Sequence, residues 1–375
     1  MLSSVIFIIS ITHGIQTLKL TLLHVNDIHS HFEEVNINTA TCKEDDRIRG
    51  QCYGGVARMA TYVRKIRKQD PDTMFLNAGD FYQGTMWYSI FKYQPVIEFS
   101  NLLNYTVGSL GNHDWDDSDE GLQPFVDQAN FPLLAANLHS TSVSNVRKSV
   151  VVKVKDRHVG IIGFITPQTQ NISNPGPENY FADIICSVRT EAKSLKSVGV
   201  DIIIAVGHAG YTLDMELARQ VEDLDLVVGG HSHTFLFSGP QPPSVEQPEG
   251  DYPTFITQSS GRVVPVVQVY CYTKYIGHLE MDFDDDGELL KPVRDNGVLF
   301  AQPILLDNAI EKDEWIEYKL AKYKSILKPY KEVVGSTKVY LYRNDNHESN
   351  LGNLVTDSML ASWSEAQVRK FKHMF

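Results

Sequence analysis

The sequence predicts an α/β fold with central sheets, and two features of the chain support this prediction. Apolar runs of strand length recur along the 375 residues, and stretches with helical spacing of apolar residues lie between them. Strands that alternate with helices in this way are typical of α/β proteins. The apolar runs occupy residues 20–29, 74–80, 106–114, 201–208 and 225–233.

The helices of the main domain are predicted from periodicity. Residues 54–69 place apolar side chains at roughly helical spacing and leave a basic outer face, and residues 181–198 and 212–222 show a similar pattern. The Pro-rich segment 238–253 has no periodicity and predicts a loop.

Two strands are predicted after this loop, in residues 263–275 and 276–289. The letters FDDDGE at 283–288 have some likeness to a calcium loop, but the spaced ligands and the closing Glu are absent. We therefore interpret this segment as an Asp-Gly hairpin turn.

The C-terminal part begins with residues 303–330, which predict a long amphipathic helix that Pro329 ends. Residues 332–345 predict further strands, and residues 350–363 predict another helix. We therefore divide the chain into four parts, which are a signal peptide (1–16), a main domain (17–302), a linker helix (303–331) and the start of a second domain (332–375).

The first residues form a short apolar run that predicts a secretory signal peptide. The alternative is a first strand, but residues 18–25 already supply one. No other run reaches the roughly 18 apolar residues that span a bilayer, so we expect no transmembrane anchor. Asn104 and Asn171 each begin an N-glycosylation tripeptide, which agrees with a secreted, extracellular protein.

The chain contains four cysteines. Cys42 and Cys52 bracket a charged loop and are predicted to form a disulfide, since secreted proteins permit one. A zinc knuckle is the alternative, but this lone pair has the wrong spacing for it. Cys186 and Cys271 could pair or remain buried thiols, and the pattern leaves both options open.

Charge and composition narrow the class of function. The net charge of −12 argues against a nucleic-acid polymer as partner, because such partners usually require a basic surface. The apolar fraction of 42% and the charged fraction of 21% are ordinary for a soluble globular protein. An anionic substrate would need local positive charge, which bound metal ions could supply.

Each of the five apolar runs ends in a side chain that can bind a metal ion. In open α/β sheets ligands bind outside the carboxyl ends of the strands, so five such strands could build one shared site. The set is larger than one tetrahedral ion requires. It comprises Asp27, His29, Asp80, Asn112, His208 and His231, with His233 as a further candidate.

Two ions that share one carboxylate would use the whole set. We predict that Asp80 is the shared ligand. Asp27, His29 and Asp80 would hold one ion, with His233 as the candidate fourth ligand, and Asp80, Asn112, His208 and His231 would hold the other. Such sites hydrolyse phosphate esters, because the ions bind phosphoryl oxygens, lower the pKa of a water molecule and stabilise in-line displacement.

The metal is not specified by these residue types. Zinc suits the imidazoles, while Mn, Fe, Mg or Ca could suit the oxygen ligands. His113, beside Asn112, is predicted to stabilise the transition state or protonate the leaving oxygen, and Asp116 would fix its tautomer. Asp114 and Asp117 are competing partners, and these acids could also cap a helix start.

Four strings resemble the 5′-nucleotidase/apyrase family of calcineurin-like metallophosphoesterases. They are HVNDIHSHFE (24–33), YGGVARMAT (53–61), LNAGDFYQGT (76–85) and LGNHDWDD (110–117). The resemblance implies a four-layer αββα catalytic domain, a linker helix and a C-terminal nucleotide-binding domain. It implies extracellular hydrolysis of nucleoside phosphates, and it carries the same metal and dyad roles onto the residues named above.

The chain departs from the family pattern in two places. His233 completes Gly-His-x-His where animal 5′-nucleotidases can have Asn. The family's C-terminal domain binds the base with stacked aromatic rings and the phosphate with arginines, but only its opening is present, in residues 347–359. Arg343 is a substitute candidate for the expected arginine. We therefore expect a C-terminally truncated product.

The leading functional prediction is a secreted, metal-dependent nucleotide phosphohydrolase. It would act as a 5′-nucleotidase that converts AMP to adenosine, or as an apyrase that converts ATP and ADP to AMP, so nucleoside mono-, di- and triphosphates are the expected partners. The alternative is a catalytically weak nucleotide-binding or scavenging protein, because truncation removes residues that position the substrate. The sequence predicts no oligomeric state.

Overall fold

The computed structural model describes residues 17–290, 300–333, 335–342, 344 and 347–372, with the side chains described up to residue 364. The predicted signal peptide and Arg343 lie outside the described residues. The chain divides into two compact units, one up to Ser325 and one from Ile326 onward. No helix in the described part of the chain has the length and apolar character that a membrane crossing requires.

The secondary structure alternates between strands and helices. The strands are β1 (Leu18–Val25), β2 (Val35–Asn36), β3 (Cys52–Tyr53), β4 (Met74–Asn77), β5 (Val107–Ser109), β6 (Leu133–Leu134), β7 (Leu138–Ser140), β8 (Ser149–Val154), β9 (Arg157–Ile165), β10 (Asn179–Phe181), β11 (Ile202–His208), β12 (Leu226–Val228), β13 (Thr254–Thr257), β14 (Val263–Val267), β15 (Tyr275–Phe283) and β16 (Phe300–Leu305). The α-helices are α1 (Glu44–Ile48), α2 (Val56–Gln69), α3 (Met86–Phe91), α4 (Tyr93–Leu103), α5 (Ser118–Gln128), α6 (Thr169–Ile172), α7 (Ile184–Ser197), α8 (Tyr211–Gln220), α9 (Glu314–Leu327) and α10 (Asn350–Lys372). Short 3₁₀ helices occupy Asn112–Trp115 and Lys328–Lys331.

Two mixed six-stranded sheets form the centre of the first unit. The strand order of the first sheet is β16-β15-β1-β4-β5-β6, with β1, β4, β5 and β6 parallel and β15 antiparallel to β1. The order of the second sheet is β13-β14-β12-β11-β9-β8, with β14, β12, β11 and β9 parallel and antiparallel strands at both edges. The parallel cores explain why the strands read as continuous apolar runs, since such strands are covered on both faces.

The two sheets pack face to face, and helices cover their outer faces. Leu22 of β1 and Ile204 of β11 belong to one buried cluster between the sheets. The neighbouring Ile203 faces the other way, as strand alternation requires, and belongs to a cluster with Val188 of α7 and Leu217 of α8. On the outer side of the first sheet, α2 contacts β15 through a hydrogen bond between Tyr62 and His278. The four-layer αββα prediction is therefore confirmed.

The helices predicted in the main domain are confirmed as α2, α7 and α8, and the Pro-rich segment 238–253 contains no helix or strand. The two strands predicted after it form, but they enter different sheets. β14 pairs with β12, whereas β15 pairs with β1, so the chain crosses the sandwich between them. The Asp-Gly turn is also confirmed, because the Gly287 amide donates to the Asp284 carbonyl at 3.1 Å.

The predicted linker helix, residues 303–331, begins later than the sequence pattern indicates. Residues 303–305 lie in β16, where Pro303 pairs opposite Gly277 of β15. The helix α9 begins only at Glu314. Pro is tolerated on an edge strand, and the open edge of β15 supplies hydrogen bonds that local helical periodicity does not reveal.

The second unit contains the helix predicted for residues 350–363, which is α10. The strands predicted for residues 332–345 are absent from the described residues of that stretch. Val339 and Tyr340 are 63% and 86% exposed, so these apolar side chains have no sheet to pack against. Alternating apolar residues form a strand only when a partner strand accepts their backbone hydrogen bonds.

The predicted disulfide between Cys42 and Cys52 is present, with the two Cα atoms 5.6 Å apart. It closes the loop that carries α1. The question that the sequence left open for the other cysteines is answered, because both are free thiols. Cys271 is buried and Cys186 is exposed.

Candidate functional site

The side chains predicted to bind metal lie where the central strands of both sheets end. Asp27, Asp80 and Asn112 follow β1, β4 and β5 of the first sheet, while His208 ends β11 and His231 follows β12 of the second. Because the two sheets stack with these ends on the same side, the side chains approach one another across the sandwich. His208 Nε2, for example, lies 2.9 Å from Asp80 Oδ2.

Two groups of potential ligands form at this junction. One consists of Asp27, His29 and His233, and the other of Asp27, Asp80 and His208, with one ligand atom from each residue within 4.8 Å of the others in its group. Asp27 Oδ1 lies 3.1 Å from His233 Nε2, and Asp80 Oδ2 lies 3.4 Å from His29 Nε2. Asp27, Asp80 and His208 are at most 1% exposed.

The remaining predicted ligands surround these groups. The Asn112 side chain is buried, and its Oδ1 atom has no hydrogen-bond partner among the described residues. The His231 ring lies 5.1 Å from the His208 ring, centroid to centroid, and its Nδ1 atom is also buried without a partner in the described part of the chain. Unpaired buried polar atoms are costly, so these two donor atoms fit a role as metal ligands.

The tautomers of two histidines fit a cation. His208 Nδ1 lies 2.8 Å from the Ala78 carbonyl and His29 Nδ1 lies 3.2 Å from the Tyr82 carbonyl. A carbonyl can only accept, so each Nδ1 carries the hydrogen and, in the neutral ring, Nε2 presents a lone pair. Those lone pairs face carboxylate oxygens, and His208 Nε2 is not aligned for a hydrogen bond despite its short distance to Asp80. A bound cation would satisfy both the imidazoles and the carboxylates.

The pKa values of the buried histidines and aspartates also fit a bound cation. Burial acts to lower the pKa of His208, but the carboxylates of Asp80 and Asp27 outweigh burial and raise it well above its ordinary value. Burial acts to raise the pKa of Asp80, but His208 and His29 outweigh it and hold the carboxyl below its usual range. The buried carboxylates of the junction therefore favour positive charge beside them.

The backbone at the ligands is unusual. Asp27, His29, Asp80, His231 and His233 have φ angles of 51°, 48°, 57°, 80° and 53°. Non-glycine residues seldom adopt this left-handed region, and residues held there cluster at functional sites.

The Gly-Asp and Gly-Asn motifs are explained by close packing of two loops. A Cβ atom at Gly111 would overlap the Asp80 carboxylate and its backbone nitrogen. The Asp80 and Asn112 loops can approach this closely only with glycine between them.

Asp114 does not pair with His113, although the sequence allowed it as a competitor of Asp116. Its carboxylate accepts backbone hydrogen bonds from Phe81, Tyr82 and Gly111 at 2.8, 3.0 and 2.8 Å. Burial, together with the nearby Asp80 charge, raises the pKa of Asp114 to about 7. Asp114 therefore ties the loop after β4 to the loop after β5.

The pair formed by His113 and Asp116 has the predicted arrangement. His113 Nδ1 lies 2.7 Å from Asp116 Oδ2, and this hydrogen bond raises the pKa of His113 even though burial opposes the shift. Burial acts to raise the pKa of Asp116, but hydrogen bonds from His113 and Ser173 outweigh it and lower the pKa. Asp117, the other competitor, instead accepts hydrogen bonds from Tyr88 and Lys92.

Several site residues were missed by sequence reasoning. The Tyr272 ring stacks on His31 at 4.2 Å between centroids and approaches the rings of His29 and His233 edge-on. Asn26 donates to Asp27 Oδ2 at 2.7 Å. Asn26 directly precedes a predicted ligand, which was an available signal, whereas Tyr272 gave no local signal.

Gln268 was also missed, and it is completely buried behind the loop that carries His231 and His233. Its amide nitrogen donates to Asp214 Oδ2 at 2.6 Å and to the Gly230 carbonyl at 3.0 Å. Its amide oxygen accepts from the Ser232 hydroxyl at 3.1 Å and the Thr234 amide at 3.2 Å. Both donor hydrogens and the acceptor oxygen of Gln268 are thus used to hold this loop.

The chain matches the model of a known protein family. The family model described as calcineurin-like phosphoesterase matches residues 20–235, which include every predicted metal ligand and both residues of the dyad. The chain belongs to the calcineurin-like phosphoesterase family. Members of this metallophosphoesterase family use divalent metals, as the donor set here would require.

Known relatives of this phosphoesterase chain carry a more specific description. This chain is 39% identical over 354 residues to the 5′-nucleotidase of Homo sapiens, and the alignment covers 91% of this chain and 60% of the relative. It is 40% identical over 354 residues to the snake venom 5′-nucleotidase of Crotalus adamanteus, with 91% and 58% covered. The chain therefore spans about 60% of the length of these relatives.

A solved structure supports the fold of this phosphoesterase. The crystal structure of a 5′-nucleotidase precursor from Thermus thermophilus superposes with a TM-score of 0.80 at 33% sequence identity. The match covers 93% of this chain and 68% of the other.

Proposed function

We propose that this chain is a metal-dependent phosphohydrolase that removes the phosphate from nucleoside 5′-monophosphates. The convergence of buried aspartates and histidines from two sheets on one junction carries the proposal. Relatives that are 39–40% identical and are named 5′-nucleotidases give the substrate class. These names favour the monophosphatase reading over the apyrase and the nucleotide-scavenging alternatives.

The proposed metal ligands follow from distances across the junction. Asp80 is proposed as the shared ligand because Oδ2 approaches His29 Nε2 at 3.4 Å and His208 Nε2 at 2.9 Å. Asp27, His29, Asp80 and His233 would hold one cation, and Asp80, Asn112, His208 and His231 would hold the other. When bound, two divalent cations supply Lewis acidity toward the phosphoryl oxygens and the attacking water. Zinc is proposed for its affinity for imidazole.

His113 is proposed to act on the ester oxygen that leaves. Its Nδ1 donates to Asp116, and in the protonated ring Nε2 carries the second hydrogen, which is the one that can be given to the leaving oxygen. The side chain of His113 is 38% exposed, whereas the clustered aspartates are buried, so a substrate can reach it.

Secretion is part of the proposal. It is supported by the N-terminal segment 1–16, by the Cys42–Cys52 disulfide and by a relative from venom. Asn104 and Asn171 have exposed side chains, which agrees with their proposed glycosylation. The division into a catalytic domain (17–302), a linker (303–331) and a nucleotide-binding start (332–375) is likewise proposed.

The test is a product assay with the full chain. Phosphate and nucleoside release would be measured with AMP, ADP and ATP, and the metal content of the same sample would be determined by mass spectrometry. We expect adenosine from AMP and about two metal ions per chain. Asp80→Asn should lose both the release of adenosine and the bound metal. Asp117→Asn, which alters a neighbouring surface carboxylate, is the matched control. Phosphate release from ATP and ADP without release from AMP would overturn the monophosphatase assignment.

A further inference from the structure

The carboxylate of Asp116 has more partners than its interaction with His113 requires. Oδ2 accepts hydrogen bonds from His113 Nδ1 at 2.7 Å and from Gln83 Nε2 at 3.0 Å. Oδ1 accepts a hydrogen bond from the Ser173 hydroxyl at 2.8 Å. Because three donors hold the carboxylate, two on Oδ2 and one on Oδ1, it cannot rotate or shift freely. The orientation of the carboxylate plane relative to the His113 ring is therefore fixed.

Ser173 reaches Asp116 from a distant part of the chain that is itself anchored. Its backbone N–H donates to the Thr169 carbonyl at 3.2 Å and closes the short helix α6. Downstream, the Gly176 amide and the Asn179 side chain donate to Asp119 Oδ1 at 3.2 and 2.7 Å. Asp119 lies one helical turn after Asp116, so the loop from Ser173 to Asn179 is attached to the start of α5 at two points.

We propose that Ser173 is a positioning residue for the His113–Asp116 pair. Its hydroxyl holds the carboxylate in the plane that accepts the Nδ1 hydrogen of His113, so that in the protonated ring the Nε2 hydrogen is the one available to the leaving oxygen. Gln83 holds the same carboxylate from the loop after β4 and contributes less, because its hydrogen bond is longer, at 3.0 Å against 2.8 Å, and its side chain has more rotatable bonds to fix. This inference rests on the proposed phosphohydrolase function, since it concerns the proton donor of that reaction.

Ser173 also closes the tripeptide Asn171-Ile172-Ser173, which is a predicted glycosylation site. A simple alanine substitution would therefore remove a hydroxyl and a modification site together. Three variants separate the two effects. Ser173→Ala removes both, Asn171→Gln removes only the modification site, and Ser173→Thr retains both.

The kinetic experiment compares the wild-type chain and the three variants with AMP as substrate and with the metal content measured. A hydrogen bond to a charged group is worth enough to change a rate about tenfold. We expect kcat of Ser173→Ala to fall about tenfold, with KM and metal content unchanged. Ser173→Thr should restore most of the lost rate, and Asn171→Gln should match the wild type.

Three outcomes would overturn the inference. They are an unchanged kcat in Ser173→Ala, an equal loss in Asn171→Gln, and a loss in Ser173→Ala that appears in KM alone. A wild-type chain without activity on AMP would count against the proposed function instead, so a second readout that does not need turnover is required.

That readout is the ring N–H signal of His113 in ¹⁵N-histidine-labelled protein, assigned with His113→Gln. In the wild type the Nδ1 hydrogen should be protected from exchange by Asp116. In Ser173→Ala the protection should fall about tenfold, and Ser173→Thr should recover it. Equal protection in wild type and Ser173→Ala would show that the hydroxyl does not hold the pair.

Discussion

Replacement of Gln268 by Met should loosen the loop that carries His231 and His233. The substitution keeps the approximate volume of the side chain but removes four hydrogen bonds. Two of the four partners retain others, because the Gly230 carbonyl still accepts from Gly210 and the Ser232 hydroxyl still contacts Thr234.

The other two partners lose their hydrogen bonds inside the core. They are Asp214 Oδ2 and the Thr234 amide, in residues that are 0% exposed. Each buried group left without a partner costs about 1–3 kcal/mol, so Gln268→Met should destabilise the protein by about 4 kcal/mol. For a domain of this size that corresponds to a fall in Tm of roughly 8 °C.

The assay combines thermal unfolding of the metal-free chain with titration of zinc. Residues that hold a ligand in place typically change metal affinity by about 10–100-fold when replaced, and we expect a loss in that range. Gln258→Met is the matched control, because Gln258 is also buried and donates to the Ala218 and Val221 carbonyls at 2.9 Å, at the far end of α8. The control should lower Tm without changing zinc affinity. Equal zinc affinity in Gln268→Met and the wild type would refute the assigned role.

Three further outcomes are expected. Glu34 pairs with three cationic side chains, which lower its pKa to about 2 although burial opposes the shift. Its contribution to the free energy of unfolding, about 2 kcal/mol after screening, should be complete above about pH 4.5 and be lost as the pH falls toward 2. In urea unfolding of metal-free protein, Glu34→Gln should therefore be less stable than the wild type at pH 7 but not near pH 2. Replacing His233 by Asn should lower the affinity for one of two bound metal ions by about tenfold, because His233 Nε2 lies 3.1 Å from Asp27 Oδ1. Calorimetry would measure both affinities, and two unchanged affinities would exclude His233 as a ligand. Reduction of the Cys42–Cys52 disulfide, which spans ten residues, should lower stability by about 3 kcal/mol in denaturant unfolding, with Cys42→Ser/Cys52→Ser as the reference that reductant should leave unaffected.

The sequence was sufficient to predict the five strands that lead to the site and the ends at which the site lies. A buried parallel strand is a local pattern, and a polar side chain at its end is visible within ten residues, as in β11 and His208. The pair of His113 and Asp116 was also accessible, because its members lie only three positions apart in the chain.

The supporting contacts were not accessible, because they join residues far apart in the chain. Ser173 and Asp116 are separated by 57 positions, and Gln268 and Asp214 by 54. The strand β16 was missed for the same reason, since the decisive partner is the open edge of β15 rather than any property of residues 300–305 themselves. The unpaired edge of β15 determined the strand conformation of residues 300–305 more strongly than helical periodicity did.

The left-handed backbone at the ligands shows how the site is held. Such conformations cost on the order of 1–3 kcal/mol each, and they persist only where surrounding structure imposes them. Here the loop after β1 pairs with the loop after β4, because the amides of Asp27 and His29 donate to the Gly79 and Asp80 carbonyls at 3.1 and 3.0 Å. Asp114 adds three hydrogen bonds to the second loop and its neighbour.

These hydrogen bonds are all internal to the protein and do not depend on an ion. The positions of Asp27, His29 and Asp80 are therefore set by the backbone before a cation binds. Metal binding should change the chemical environment of these side chains but leave the φ angles of the two loops, measured by NMR in metal-free and metal-bound protein, in the left-handed region. Left-handed φ angles that form only with metal would show instead that the ion orders the loops and that the backbone does not preorganise the site.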